Sequence, residues 1–479
     1  MVTKYSNYIN GRFVDNTSDA MIDVFNPATH ELLARVPEAS QEEVDSAVQA
    51  ARAAQPAWER LPAVQRGRHL RAIAAKVREQ RDRLARIITQ EQGKTLALAG
   101  VEVDFTADYL DYMAEWARRI EGEVLTSDRP GESIFLLRKP VGVTVGILPW
   151  NFPFFLIARK LAPALVTGNT IVIKPSEETP INAFEFAKLA AETDLPAGVF
   201  NLLGGTGQTV GAQLSSHRGV DLVSFTGSVD TGSRIMQAAG RNLTRVNLEL
   251  GGKAPAIVLA DADLDLAAKA IHASRVINTG QVCNCAERVY VERSVAPALI
   301  DRLAGLLSQT RYGDPLGAAP VDMGPLVNRQ ALDKVAGLVE RAVAEGAEAV
   351  TGAAPADVGQ GFHYQPTLLA NCRGDMEIMR KEIFGPVLPV QVVDSLDEAI
   401  AEANDSDFGL TSSIFTTSLN AAMQAVRDLR FGETYVNREH FEAMQGFHAG
   451  RRKSGIGGAD GKHGLYEYME THVAYIQHG

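Results

Sequence analysis

Cysteine is scarce: three residues among 479, an odd number that builds no disulfide framework and points to a reducing compartment. Basic residues are outnumbered, 47 Lys and Arg against 58 Asp and Glu, and no basic cluster with interleaved aromatics occurs. Nucleic acid is therefore not an expected partner. No window approaches the roughly 20 uncharged apolar residues of a membrane span. The opening stretch MVTKYSNYINGRFVDN lacks the basic-then-apolar order of a secretory leader, so a cytoplasmic protein is expected. Low-complexity tracts and internal repeats are missing too. What remains is a globular chain, 46% hydrophobic and 22% charged, too long for one ordinary core.

The rhythm of apolar residues divides that chain. Most of the first 120 residues read as helix: AVQAARAAQPAWERL and HLRAIAAKVREQRDRLARIITQEQ repeat at intervals of three and four. From 141 onward, β-branched runs alternate with helical patterns. VGVTVGIL, TIVIK, VFNLL, LVSF and LTRVNLEL read as five strands with helices between them. Such alternation predicts a parallel, doubly wound α/β sheet over 141–250, with ligands at the carboxyl ends of its strands. A second alternating series from APAIVLA (254–260) to about 435 predicts another α/β domain. The glycine-rich turn GGTGQTVG (204–211) offers Gly205-x-Gly207-x-x-Val210, which lacks the third glycine of a dinucleotide fingerprint, and no acidic residue ends a strand at the expected distance beyond it.

Two of the three cysteines stand together in GQVCNC (280–285). A metal clip would need a second pair at zinc spacing, and there is none, so no metal is expected. A redox pair is ordinarily C-x-x-C; C-x-C is tighter and more strained. The surroundings suit a nucleophile better. Asp263 reads as the cap of a helix over 264–277, Gly280 suits a left-handed position at its end, and the strand ERVYVER follows. A thiol on a loop held between rigid elements can face a cleft, although a lone cysteine in such a place also serves as ordinary core filler.

Three more segments tip that balance: PWNFPFF (149–155), LELGGKAP (248–255) and KEIFGPV (381–387). With GQVCNC, in this order and over essentially the whole chain, they resemble the NAD(P)-dependent aldehyde dehydrogenase superfamily. The resemblance implies Cys283 as nucleophile, the side-chain amide of Asn151 with the Cys283 backbone N–H as oxyanion donors, and Glu249 as the base that activates water. Read without it, Asn151 is a helix cap and Glu249 an ion-pair partner of Lys253 or Lys174. NAD is the implied cofactor. It would lie on a variant Rossmann sheet with its pyrophosphate against Phe225, Gly227 and Ser228 of FTGS at a helix start. Lys174 and Glu177 of IKPSE would hold the adenosine ribose, where a carboxylate favours a free 2′-hydroxyl over a 2′-phosphate. Glu382 and Phe384 would meet the nicotinamide ribose, and Pro149, Trp150, Gly211, Leu250 and Gly251 complete the implied cofactor set.

Beyond the superfamily segments, TADYLDYMAEWARR (106–119), SDRPGE (127–132) and NREHFEAMQGFHAGRRKSGIGGADGKHGLYEY (437–468) are similar to the branch acting on short 2-hydroxyaldehydes such as lactaldehyde and glycolaldehyde. Phe152, Arg159, Glu442 and His448 are the implied substrate residues, hydrogen-bonding groups standing where many relatives place aromatics. Arg159 would equally suit the carboxylate of a semialdehyde, so an NAD(P)-dependent semialdehyde dehydrogenase is the alternative. Surface pairing of Arg159 and His448 with acids is the plainer reading. The implied domains are 1–121 with 141–250 for the nucleotide, 251–453 for catalysis, and 122–140 with 454–479 as a β arm joining a homodimer or homotetramer.

Overall fold

A computed structural model describes residues 2–17 and 19–478. The expected two α/β domains and small β arm are present, and the alternating runs form the two large sheets. In the first sheet, five parallel strands lie in the order Arg245–Glu249, Leu222–Thr226, Val143–Ile147, Thr170–Lys174, Phe200–Leu202. Numbered by sequence this is the order 3-2-1-4-5 of a Rossmann half, and its direction of winding reverses between Val143–Ile147 and Leu222–Thr226. Both edges are closed by antiparallel strands from far away: Tyr8–Ile9 on Phe200–Leu202, and Gly455–Ile456 on Arg245–Glu249.

The amino-terminal reading needs a correction. Before the helices come five short strands within residues 3–37, two of them pairing into a three-stranded sheet with Thr3–Lys4. Three of the five have only two residues, too few for any alternation to show. The helical pattern that follows breaks at Gln80 into Ala63–Glu79 and Arg81–Gln92. Ser40 and Glu43 form a reciprocal capping box that starts the first helix, Gln41–Arg60.

The second sheet has seven strands, with Ala254–Val258 between Ala286–Glu292 and Thr411–Phe415. All but the edge pair Glu348–Thr351 and Thr367–Ala370 run parallel. The arm is a three-stranded antiparallel sheet of Glu123–Thr126, Glu132–Pro140 and Met469–Gln477. The segment 454–479 divides between two places: Gly455–Ile456 closes the nucleotide sheet, the helix Gly461–Tyr466 packs on Phe155–Thr167, and the arm takes only Met469–Gln477. Among the described residues, no helix is long and apolar enough to cross a membrane.

Candidate active site

The carboxyl ends of strands Val143–Ile147, Leu222–Thr226 and Arg245–Glu249 face the turn that precedes strand Ala286–Glu292. A cavity of about 260 Å³ lies between them. Cys283, Asn151 and Glu249 line it together, as do Phe152, Arg159 and Glu442. So do Pro149, Trp150, Gly227, Ser228, Leu250, Gly251, Glu382 and Phe384. Lys174, Glu177, Gly211 and Phe225 lie outside it, and His448 sits behind the wall. Residues more than 230 positions apart in sequence therefore converge on one small volume.

The turn that carries Cys283 has an unusual backbone. Asp263 caps the preceding helix Leu264–Val276 through the amides of Asp265 and Leu266, as its position in the sequence predicts. At the other end Gly280 is left-handed (φ 73°), but the turn begins earlier, with Asn278 (φ 47°) and Thr279 (φ 60°) also left-handed. Such a conformation costs a non-glycine residue about 1–3 kcal/mol unless its surroundings impose it. Here they do. Asn278 Nδ2 donates to the Asn151 carbonyl (3.0 Å), Thr279 Oγ1 to the Gly324 carbonyl (3.0 Å), and Arg275 Nη2 to the Gly280 carbonyl (2.6 Å). Cys283 is partly exposed, whereas Cys285 and Cys372 are buried. Burial pushes the Cys285 thiol up to about 12 and the Cys372 thiol up to about 11, so neither is a thiolate near neutrality.

Asn151 is held from both ends. Its side-chain Nδ2 donates to the Gln281 carbonyl (3.0 Å), leaving its second N–H for the cavity, and its own carbonyl accepts from Lys94 Nζ (2.7 Å). Lys94 is fully buried, pairs with Glu102 (2.6 Å) and lies 3.7 Å above the Phe152 ring. Glu102 in turn accepts from the amides of Phe154 and Phe155, where the Arg159 helix begins. Asn151 is thus no cap: its amide points to the nucleophile turn. Sequence reading passed over Lys94 and Glu102: Lys94 lies in the loop between helices Arg81–Gln92 and Leu96–Glu115, where a lysine is ordinary, and only Glu102 interrupts an otherwise apolar helical face.

Glu249 is 3% exposed, and neither carboxylate oxygen accepts a hydrogen bond from a described residue. The ion pairs envisaged for it go elsewhere: Lys253 bonds Glu287 and Lys174 bonds Glu177. Burial pushes the Glu249 carboxyl up, but Lys160, Arg159 and His448 together draw it below the usual glutamate value. An ionised carboxylate with free lone pairs at a cavity wall is equipped to take a proton from water.

Arg159 and His448 do pair with acids, yet inside the protein and not at its surface. Arg159 donates through Nε to Asp460 (3.0 Å), through Nη2 to Asp460 and Glu442, and its Nη1 lies 3.8 Å from Glu249. His448 Nδ1 donates to Glu433 (2.5 Å). Burial and Arg159 oppose protonation of that imidazole, but its hydrogen bonds to Cys283 and Glu433 hold it well above the ordinary histidine range. Glu442 also accepts from Asn284, next to the nucleophile. Asp460 and Glu433 were not singled out from sequence; nothing in GGADGKHG or GETYV marks them before the chain folds.

The cofactor residues suit a dinucleotide. Ser228 caps the helix Val229–Gly240, and Thr226 Oγ1 beside it is buried without a partner, so donors gather where an anion would meet the helix start. A Cβ on Gly227 would strike the Phe225 ring at 2.4 Å, which explains a glycine there and places Phe225 beneath the turn. Glu177 bridges Lys174 (3.0 Å) and the Gly207 amide (3.1 Å), and Gly211 closes the single helical turn that follows. Burial raises the Glu177 carboxyl, but Lys174 and the backbone amides of Glu177 and Gly207 together outweigh it and hold it below the usual glutamate value. Glu382 accepts from the Gly252 amide (2.7 Å), and Phe384 meets Trp150 edge to face at 5.5 Å.

Comparison with known proteins finds relatives over the whole chain. Lactaldehyde dehydrogenase of Escherichia coli (strain K12) is 58% identical over 470 residues, 98% of each chain. A crystal structure of lactaldehyde dehydrogenase from Escherichia coli superposes with a TM-score of 0.98 at 57% identity, covering 100% of both chains. A 3,6-anhydro-alpha-L-galactose dehydrogenase of Vibrio sp. (strain EJY3) is 41% identical over 99% of each chain. Residues 13–474 match the aldehyde dehydrogenase family, and with the whole fold shared at this level of identity, the chain belongs to that family.

Proposed function

We propose that this aldehyde dehydrogenase oxidises short 2-hydroxyaldehydes, of the lactaldehyde and glycolaldehyde type, to their carboxylates with NAD⁺. Cys283 attacks the aldehyde carbon, and the resulting oxyanion takes hydrogen bonds from Asn151 Nδ2 and the Cys283 backbone N–H. NAD⁺, when bound, supplies the hydride acceptor that turns the thiohemiacetal into a thioester. Glu249 then draws a proton from water, which attacks the thioester and releases the carboxylate and the Cys283 thiol. A water-directed carboxylate at this position favours hydrolysis over transfer to coenzyme A.

The observation that carries the substrate class is the state of Arg159. Its guanidinium is already matched by Asp460 and Glu442, with Glu249 close by. A substrate carboxylate would have to displace one of these anions, whereas a neutral hydroxyl can join the network without disturbing its charge. This disfavours the semialdehyde reading and fits the similarity to lactaldehyde dehydrogenase. The ionised Glu177 supports NAD over NADP, since a 2′-phosphate would meet a negative charge. Three free thiols fit a cytoplasmic setting. Initial rates with lactaldehyde, glycolaldehyde, succinate semialdehyde and propanal test the reading: the two hydroxyaldehydes should have the highest kcat/KM. A preference for succinate semialdehyde would overturn it.

A further inference from the structure

Behind the nucleophile lies a buried ionic cluster that the mechanism above does not use. Glu287, 0% exposed at the start of strand Ala286–Glu292, receives four donors on its two oxygens. Oε2 accepts from Lys253 Nζ (2.8 Å) and the Ile383 amide (2.9 Å); Oε1 accepts from Arg275 Nη1 (2.9 Å) and the Phe384 amide (3.2 Å). These donors belong to three segments that meet at the cavity. Arg275 holds the Gly280 carbonyl of the nucleophile turn. Lys253 ends the glycine pair after Glu249, where a Cβ on Gly252 would lie 2.3 Å from the Cys283 carbonyl oxygen. Ile383 and Phe384 carry the loop whose Glu382 bonds the Gly252 amide.

Two of these segments hold residues in left-handed conformations that are unfavourable for side chains other than glycine: Asn278 and Thr279 on one, Phe384 (φ 57°) on the other. Glu287 bonds the Phe384 amide directly and reaches the first turn through Arg275. A buried carboxylate between two cations is no better for stability than a well-packed apolar cluster, so its value lies in the geometry it imposes. We propose that Glu287 is a positioning residue of the reaction, which sets the Cys283 turn and the Glu382–Phe384 loop in fixed register across the cavity. This rests on Cys283 as nucleophile and Glu382 as the residue that meets the nicotinamide ribose.

The same carboxylate has an electrostatic signature that a purely structural role would lack. Besides Lys253, Arg275 and Arg288, Glu287 faces Glu382. Burial first and Glu287 second push the Glu382 carboxyl up to about 7, against the individually weaker pull of Lys334, the Gly252 amide and Lys253. Removing the charge of Glu287 therefore lowers the pH at which Glu382 ionises.

The test is NAD⁺ binding to Glu287→Gln, Glu287→Asp and the parent protein, followed by Trp150 fluorescence across pH, with thermal melting as a folding control. Glu287→Gln should bind NAD⁺ about tenfold or more weakly, the loss typical of a broken charged hydrogen bond, and its acid midpoint should move to lower pH. Glu287→Asp keeps the charge but not the reach, so it should keep the parental midpoint while affinity still falls. A folded Glu287→Gln protein with parental affinity and midpoint would overturn the proposal. Should Glu287→Gln not fold, Arg275→Lys keeps the charge and drops the bond to Gly280. Alkylation of Cys283 by iodoacetamide should then change rate by roughly tenfold, and a parental rate would refute the proposal. Glu382→Gln separates the two layers of inference. Unchanged NAD⁺ affinity in that variant would remove the ribose assignment and with it the proposal, whereas weakened affinity there beside parental Glu287→Gln would sink the role of Glu287 alone.

Discussion

At the scale of single residues, the site separates roles by environment. Cys283 is the thiol left accessible, while burial keeps Cys285 and Cys372 protonated. Glu249 is buried and accepts no hydrogen bond from a described residue, yet is ionised, because three cations outweigh its desolvation. Its ionisation point is depressed, so it stays a base as pH falls through the ordinary glutamate value of 4.5, and is lost only below it. The charge likewise adds to stability above that value and ceases to do so as pH drops through the folded-state value. Glu249→Gln should leave acylation intact and stall hydrolysis. Rapid mixing with glycolaldehyde is then expected to give one burst of NADH per site, followed by steady turnover slower by roughly 10²–10⁴-fold. A variant whose steady rate matches the parent would remove Glu249 as the base.

At the scale of elements, the cavity is braced by buried charge pairs more than by the strands alone. Lys94 and Glu102 tie the Asn151 carbonyl to the first amides of helix Phe155–Thr167, so one pair fixes both Asn151, the proposed oxyanion donor, and the helix that carries Arg159. Lys94→Met leaves Glu102 as an uncompensated buried carboxylate and should destabilise the protein by about 3–5 kcal/mol. Urea denaturation measures this, and a shift under about 1 kcal/mol would count against it. Such pairs explain what could be read before the structure and what could not. Asp263 as a cap, the alternation over 141–250 and the motif segments around Cys283, Asn151 and Glu249 are written in consecutive residues. Their signals survive without knowledge of the fold. Lys94 with Glu102, Arg159 with Asp460 and His448 with Glu433 join positions that only folding brings together, and each residue alone looks like an ordinary charge. Two-residue strands such as Tyr8–Ile9 fail for a different reason: they exist because a sheet edge is there to receive them.

At the scale of the whole molecule, the arm presents apolar side chains that the described residues leave open: Val124 is 69% exposed and Tyr475 67%, with Leu125, Leu137 and Ile476 also exposed. An open apolar face of this kind on a sheet arm supports assembly through it. Deleting residues 469–477 should reduce the species seen by sedimentation to a single chain. An unchanged sedimentation coefficient would refute assembly through the arm.

The nucleotide sheet draws its edges from segments far from its core strands in sequence, with Tyr8 paired to Leu202 and Leu248 to Ile456. Strand Arg245–Glu249, which delivers the proposed base Glu249, gains its outer neighbour only when residues 455 and 456 arrive. Synthesis must therefore run about 200 residues past that strand before its hydrogen-bond ladder can close on the outer side. Throughout that interval the Glu249 strand carries a bare flank, so closing it is a late, long-range event in folding.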